Sequence, residues 1–254
     1  MRRILILGGT TEARLLAEQL AARRDLAVTL SLAGRTANPV AQPVPVRSGG
    51  FGGAEGLAAH LTREHVDVLI DATHPYAAVM SGHAAAAAKS TGVALLALRR
   101  PSWVAVAGDH WIDAKDGGAA VQALGEAPRR VFLALGRNDL APFVAAPQHF
   151  YLVRSVDPVE PPLAVPRARH IVGRGPFAQA ADQALLTAHE IEIVVSKNSG
   201  GEATYGKIAA ARTLGLTVIM LRRPALPAVP AVETIADALA WIYHGQATFA
   251  ERDV

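Results

Sequence analysis

Three stretches of the sequence combine residue types at spacings suited to chemistry on a charged small molecule. The first is Gly8-Gly9-Thr10-Thr11-Glu12-Ala13, which follows the apolar run Ile4-Leu5-Ile6-Leu7 and opens a helix-forming stretch, residues 12–22. Strand, tight turn and helix in this order place unpaired helix N–H groups where an anionic diphosphate binds. Against the pattern G-x-G-x-x-G, Gly8 keeps the first position, Thr10 takes the second and Ala13 the third. Ala13 still permits close helix–strand packing. The Thr10 side chain obstructs backbone approach, so hydroxyl and amide contacts would have to substitute. A strand–helix turn without any ligand fits the motif equally well, and the rest of the chain must decide.

The second stretch is Asp71-Ala72-Thr73-His74-Pro75-Tyr76, at the end of another apolar run. Pro75 stiffens it and biases His74 to an extended shape. His74 and Tyr76 are able to donate a proton or bind a substrate. Asp71 has two readings, a ligand contact or a cap for the following helix. The third stretch, residues 196–207, reads Ser-Lys-Asn-Ser-Gly-Gly-Glu-Ala-Thr-Tyr-Gly-Lys. Its glycines, hydroxyls and two lysines, Lys197 and Lys207, form a loop rich in donors and suited to an anion. Arg137, Arg154 and Arg174 fall at strand ends of the same half and add further cations.

Composition narrows the classes. The chain has 254 residues, 51% of them hydrophobic and 19% charged, so it folds around a real core rather than remaining disordered. It has no cysteine, which excludes disulfides, thiolate catalysis, iron–sulfur clusters and cysteine-based zinc sites. Its nine histidines include no H-E-x-x-H pair, and no metal site is expected. Gly-x-Ser-x-Gly is absent, and with it the serine nucleophile elbow. A net charge of +3 without a basic, aromatic-interleaved run gives no reason to expect nucleic acid. No apolar run reaches spanning length and the N-terminus lacks a signal-peptide core, so a cytoplasmic protein without a membrane partner is expected.

The elements that must position these loops alternate. Strands are expected at residues 27–32, 44–46, 66–70 and 93–98, with helices at 54–63 and through Lys89, a parallel α/β pattern. The pattern then repeats. Residues 129–133 match 2–6, residues 191–195 match 66–70, and 215–224 match 92–101, including the shared Arg-Arg-Pro ends. The expected architecture is therefore α/β, with two similarly built Rossmann-like parallel-sheet domains and a cleft between them. The boundaries are 1–101 for a nucleotide domain, 102–128 for a linker with short strands and a helix, 129–245 for a substrate domain, and 246–254 for a tail. After its first strand the first half has a glycine pair able to hug a diphosphate, whereas the second has Gly136-Arg137. That contrast assigns cofactor to the first half and substrate to the second. After the second strand, Gly34-Arg35 offers an arginine where NAD-binding sheets carry an acid, which suits the 2′-phosphate of NADP. The glycine-dense loop 49–53 serves either close cofactor approach or simple mobility.

The set Gly8-Gly-Thr-Thr-Glu-Ala13, Asp71-Ala-Thr-His-Pro-Tyr76, Arg100-Pro101, Gly136-Arg137, Ser196-Lys-Asn-Ser-Gly200, Lys207 and Arg223-Pro224 resembles the precorrin-6A reductase family over nearly the whole chain. That resemblance implies NADPH-dependent reduction of one carbon–carbon double bond of an acidic macrocyclic tetrapyrrole on the cobalamin pathway. Hydride would go to one ring carbon and a proton to its neighbour. It implies cofactor contacts from Gly8, Thr10, Thr11 and Arg35, joined by Gly50, Phe51 and Asp71. Arg137, Arg154, Arg174 and Lys207 would meet substrate carboxylates, with Ser196, Asn198, Ser199 and Gly200 facing the macrocycle. His74, Tyr76, Lys197 and bulk water stand as alternatives for the proton donor. Three other readings stay open: reduction of the cobalt-containing substrate of the anaerobic route, an NADP-dependent reductase of an unrelated acidic substrate, and a non-catalytic module that binds NADP and an acidic ligand.

Overall fold

The computed structural model describes residues 1–34 and 40–244. They divide into two compact units, Met1–Pro101 with the chain from Pro224 onward, and Ser102–Arg223. The first unit begins with β1 (Arg2–Leu7), whose residues Ile4 to Leu7 are all buried, as the centre of a parallel sheet covered on both faces requires. Next come α1 (Thr11–Ala21), β2 (Leu26–Leu32), β3 (Val46–Ser48), α2 (Gly53–Arg63), β4 (Val68–Asp71), α3 (Ala78–Thr91) and β5 (Ala94–Leu98). Alternation along β1 sorts the two faces. Ile4 and Ile6 meet Ala13, Leu16, Ala17 and Leu20 of α1, while Leu5 and Leu7 meet Leu57 and Leu61 of α2 and Ala84 and Ala87 of α3. Each fully buried large aliphatic chain contributes about 1.5–3 kcal/mol relative to exposure.

The second unit contains β6 (His110–Ala114), α4 (Gly117–Leu124), β7 (Arg130–Ala134), β8 (Phe150–Ser155), β9 (Ala168–Val172), α5 (Gln179–Ala188), β10 (Ile193–Lys197), α6 (Gly206–Thr213) and β11 (Thr217–Leu221). The chain then returns to the first unit as β12 (Ala231–Val232) and α7 (Ile235–His244). The sheet orders are β12-β5-β4-β1-β2-β3 and β6-β11-β10-β7-β8-β9. All pairings are parallel. The two α/β units thus carry six strands each, in corresponding order. No described helix is long and apolar enough to cross a membrane.

Three expectations need correcting. The segment 102–128 is no linker: β6 pairs with β11, and α4, capped by the Asp116 carboxylate on Ala119 N at 2.8 Å, packs in the same unit. Its edge strand is largely exposed and therefore lacks the apolar run that marks a central strand. Residues after Arg223 do not belong to the second unit. β12 extends the first sheet beside β5, and Ala238, Trp241 and Ile242 of α7 join the core that holds Leu16 and Leu20. The third strand begins at Val46 rather than at residue 44, because Pro45 has no N–H to give to a ladder; its carbonyl accepts from Leu30 N at 3.0 Å. Residues 246–254 lie outside the described residues.

The units differ after their first central strand. The first has the full helix α1. The second has two 3-10 turns, Arg137–Asp139 and Ala141–Ala145, with Pro142 at the start of the latter. On β8 of the second unit, Arg154 is buried and its guanidinium is paired with both carboxylate oxygens of Asp182 on α5, the second at 3.4 Å. The same guanidinium lies 3.8 Å from the Phe177 ring centroid and 4.9 Å from that of Phe132. Breaking a buried pair leaves an uncompensated charge, so Arg154→Ala is expected to cost roughly 3–5 kcal/mol in denaturant unfolding. The double variant Arg154→Met with Asp182→Leu is expected to recover most of that loss. A single variant as stable as wild type would show that the pair does not hold α5 to the sheet.

Candidate functional site

Parallel pairing brings the ends of β1, β2, β3, β4 and β5 to one edge of the first sheet. There Gly8 N donates to Ser31 O of β2 at 2.9 Å, and Ala72 N, just past β4, donates to Leu7 O at 3.0 Å. Thr10 is the N-cap of α1. Its hydroxyl accepts from Ala13 N at 3.1 Å and donates to Ala72 O at 2.9 Å, tying the helix start to the β4 exit. The threonine hydroxyl expected to touch a cofactor is therefore engaged inside the unit.

The two glycines of the first turn have separate roles. A Cβ on Gly8 would lie 2.6 Å from Leu30 Cδ1 and 3.3 Å from Ala13 Cβ, so Gly8 serves packing. Gly9 has φ +109° and nothing within 4 Å of an added Cβ, so it serves the backbone conformation of an exposed turn. Gly9 and Thr11 are exposed and Thr10 is half-buried at the N-terminus of α1. From sequence the glycine pair as a whole is expected to allow close approach; the structure separates a packing role at Gly8 from an open turn at Gly9. Arg35 lies outside the described residues.

Beside this turn is a small recess lined by Thr10, Glu12, Thr73, Pro75, Leu98 and Arg100. Glu12 and Arg100 form an ion pair there at 2.5 Å, both side chains mostly buried. None of Glu12, Thr73 and Arg100 was singled out from sequence as a site residue, because nothing in the motifs joins α1 to the end of β5. Asp71 is buried and does not cap α3. Its Oδ1 accepts from Thr73 N at 3.2 Å and Thr73 Oγ1 at 2.7 Å, which fixes the start of the loop. Farther along, His74 Nδ1 accepts from Tyr76 N at 3.3 Å, and the two rings lie 5.6 Å apart. With Nδ1 accepting, a neutral His74 carries its proton on Nε2.

At the β2–β3 corner, Gly50 is exposed and the half-buried Phe51 ring is covered by the Arg47 guanidinium at 3.7 Å. His60 of α2 packs on the other part of that ring at 5.1 Å. Burial, with Arg63 adding like-charge repulsion, lowers the pKa of Arg47; burial and Arg47 lower that of His60.

In the second unit the donor-rich loop proves largely internal. Ser196 is fully buried and its hydroxyl donates to Lys197 O at 3.1 Å. The Asn198 amide accepts from Trp103 N at 2.8 Å and donates to Trp103 O at 2.9 Å. Trp103 Nε1 donates to Gly201 O at 3.0 Å, and Arg223 donates to Asn198 O at 2.8 Å and Ser199 O at 3.1 Å. Lys207 is buried, donates to Thr204 O at 2.7 Å and sits 4.9 Å from the Trp103 ring centroid. Gly200 is buried as well. Ser196, Lys207 and Arg154 are thus buried among groups of their own unit, and Asn198 is half-buried with its amide engaged by Trp103. Lys197 remains partly exposed and pairs with Asp139 at 2.5 Å, joining the β10 exit to the 3-10 turn that carries Arg137. Arg137 and Arg174 are exposed at strand exits, and Ser199 is half-buried.

Comparison with known proteins fits this picture. The family profile of precorrin-6x reductase CbiJ/CobK matches residues 3–243. A precorrin-6A reductase of Sinorhizobium sp. is 55% identical over 242 residues, covering 95% of this chain and 93% of the relative. The solved structure of a CobK precorrin-6A reductase superposes with a TM-score of 0.91 at 51% identity, covering 96% of this chain and 97% of that one. A cobalt-precorrin-6A reductase of Priestia megaterium is 28% identical, over 87% of this chain and 90% of that one. With its two six-stranded parallel units and its full-length match, the chain belongs to the precorrin-6x reductase family.

Proposed function

We propose that this protein reduces precorrin-6A at one carbon–carbon double bond in cobalamin biosynthesis, with NADPH as the hydride donor. The observation that carries the cofactor half of this reading is the open ridge at Gly9, with its positive φ and unoccupied Cβ direction at the start of α1. Bound NADPH supplies the hydride. The amides of Gly9, Thr10 and Thr11 hold its diphosphate, favoured by the helix dipole. Arg35, which follows Gly34 in the sequence, is the residue assigned to the 2′-phosphate. The metal-free substrate is favoured over the cobalt form by relative identity, 55% against 28% for the two kinds of reductase over most of the chain.

On the substrate side, the exposed Arg137 and Arg174 meet carboxylates of the tetrapyrrole, and Lys197 adds a cation held in place by Asp139. His74 is the first choice for delivering a proton to the carbon next to the one reduced. The Tyr76 N–H on its Nδ1 fixes the tautomer that presents Nε2–H, and Tyr76 braces the ring. The loop is itself fixed by Asp71 and Thr73, which keeps the donor from wandering. An enzyme of this description is expected to be cytoplasmic and to need no membrane or nucleic acid.

Two measurements check the reading. Fluorescence titration is expected to show NADPH bound in preference to NADH, with Arg35→Ala weakening NADPH by roughly 1–3 kcal/mol, the range of a charged hydrogen bond. Absence of nucleotide binding would overturn the reductase reading in favour of a tetrapyrrole- or acid-binding module. In turnover of precorrin-6A with NADPH, His74→Asn is expected to lower kcat by roughly 10²- to 10⁴-fold with nucleotide affinity unchanged. An unaltered kcat would move the proton to Tyr76, Lys197 or solvent.

A further inference from the structure

Arg47 occupies the middle of β3, opposite Ser31 of β2. Its Nη1 donates to Gly49 O at 2.6 Å and makes a long contact to Ser31 Oγ at 3.4 Å; its Nη2 donates to Gly50 O at 2.6 Å. One face of the guanidinium is covered by Phe51. All of these partners are neutral. Among the described residues no carboxylate pairs with Arg47, although ten other ion pairs are present. A guanidinium has five N–H donors and cannot shed its charge, so three contacts leave two donors for a further acceptor. Arg63 acts on Arg47, and Arg47 on His60, in the unfavourable sense, while Glu64 acts favourably on His60 and pairs with Arg63 at 3.0 Å. The charge of Arg47 itself is therefore the one at this corner that no paired carboxylate among the described residues balances.

The backbone around it is open in a way the fold does not demand. Gly50 is exposed, its φ lies outside the left-handed range, and an added Cβ would meet nothing within 4 Å. Neither conformation nor internal packing calls for glycine there. Gly34, at the exit of β2, comes against the same loop: a Cβ on it would lie 3.6 Å from Gly49 N. The exits of β2 and β3 thus touch through their backbones, and Arg47 stands at that junction. In a nucleotide-binding parallel sheet the exit of the second strand is where the ribose 2′ position is read.

We propose that Arg47 is a second determinant of NADPH over NADH, its two remaining N–H donors and its charge directed at the ribose 2′-phosphate, with Gly50 leaving room for the close approach. This role rests on the dinucleotide reading of the first unit. It predicts a split between nucleotides rather than a general loss. Affinities for NADPH, NADH, 2′,5′-ADP and 5′-ADP are measured by titration for wild type, Arg47→Gln and Arg47→Lys, with thermal melts to confirm folding. In Arg47→Gln, NADPH and 2′,5′-ADP are expected to weaken by about ten- to a hundredfold, as for loss of a charged hydrogen bond. NADH and 5′-ADP are expected to change by less than about twofold, and Arg47→Lys, which keeps the charge without the fork, to recover part of the preference. Equal weakening of all four ligands would reduce Arg47 to a brace for the glycine loop, and unchanged NADPH affinity in a folded Arg47→Gln would remove it from recognition; either result overturns the proposal. Wild-type protein that binds none of the four overturns the dinucleotide reading and this role with it.

Discussion

Because β1 pairs in parallel with β2 on one side and β4 on the other, the chain must leave all three strands at the same edge of the sheet. Every feature of the first unit's candidate site depends on that constraint. It sets Ala72 beside the end of β1, lets the Thr10 hydroxyl reach the Ala72 carbonyl, and brings Glu12 within ion-pair distance of Arg100 after β5. Residues separated by more than sixty positions share one surface because parallel ladders align direction as well as register. The burial of Ile4 to Leu7 on both faces keeps this edge from shifting, since a slip of one residue would exchange the two apolar faces.

The second unit applies the same ladder to different loops. With the helix after its first central strand replaced by 3-10 turns, it lacks at that position the helix dipole and the row of N-terminal amides that α1 provides in the first unit. Its cations divide by burial. Arg154 and Lys207 are enclosed, and each is stabilised by groups of its own unit, a carboxylate for one and a carbonyl with an indole face for the other. Arg137 and Arg174 stay in water, where a charge costs little to keep and a carboxylated ligand can still reach it. The Asn198 loop grips Trp103 and Arg223, the residues next to the points where the chain enters and leaves the unit.

The two Arg-Arg-Pro segments have a topological meaning. Each ends the strand next to the sheet's edge, β5 or β11, and beyond each of them the chain crosses into the other unit. β6 thereby completes the second sheet and β12 the first, so the internal repeat is exact in strand order while its sixth strands are exchanged along the chain. Proline suits that position, because it cannot continue the ladder it terminates.

The sequence by itself determined the α/β class, the internal repeat, the strand-exit positions of the loops and, through the family-like motifs, the identity of the group to which the chain belongs. Those properties live in local periodicity, in apolar runs of buried strands and in glycine and proline punctuation, all of which are written over short distances. Only tertiary structure decided which donors face outward. The sequence does not show that Asn198 grips Trp103, that Lys207 lies against the Trp103 ring, or that Arg154 meets Asp182 of α5. The edge strands β6 and β12, short and half-exposed, carry too little apolar pattern to announce their sheet. Arg47 escaped notice for a related reason: its significance depends on the close contact of two strand exits, which sequence spacing does not encode.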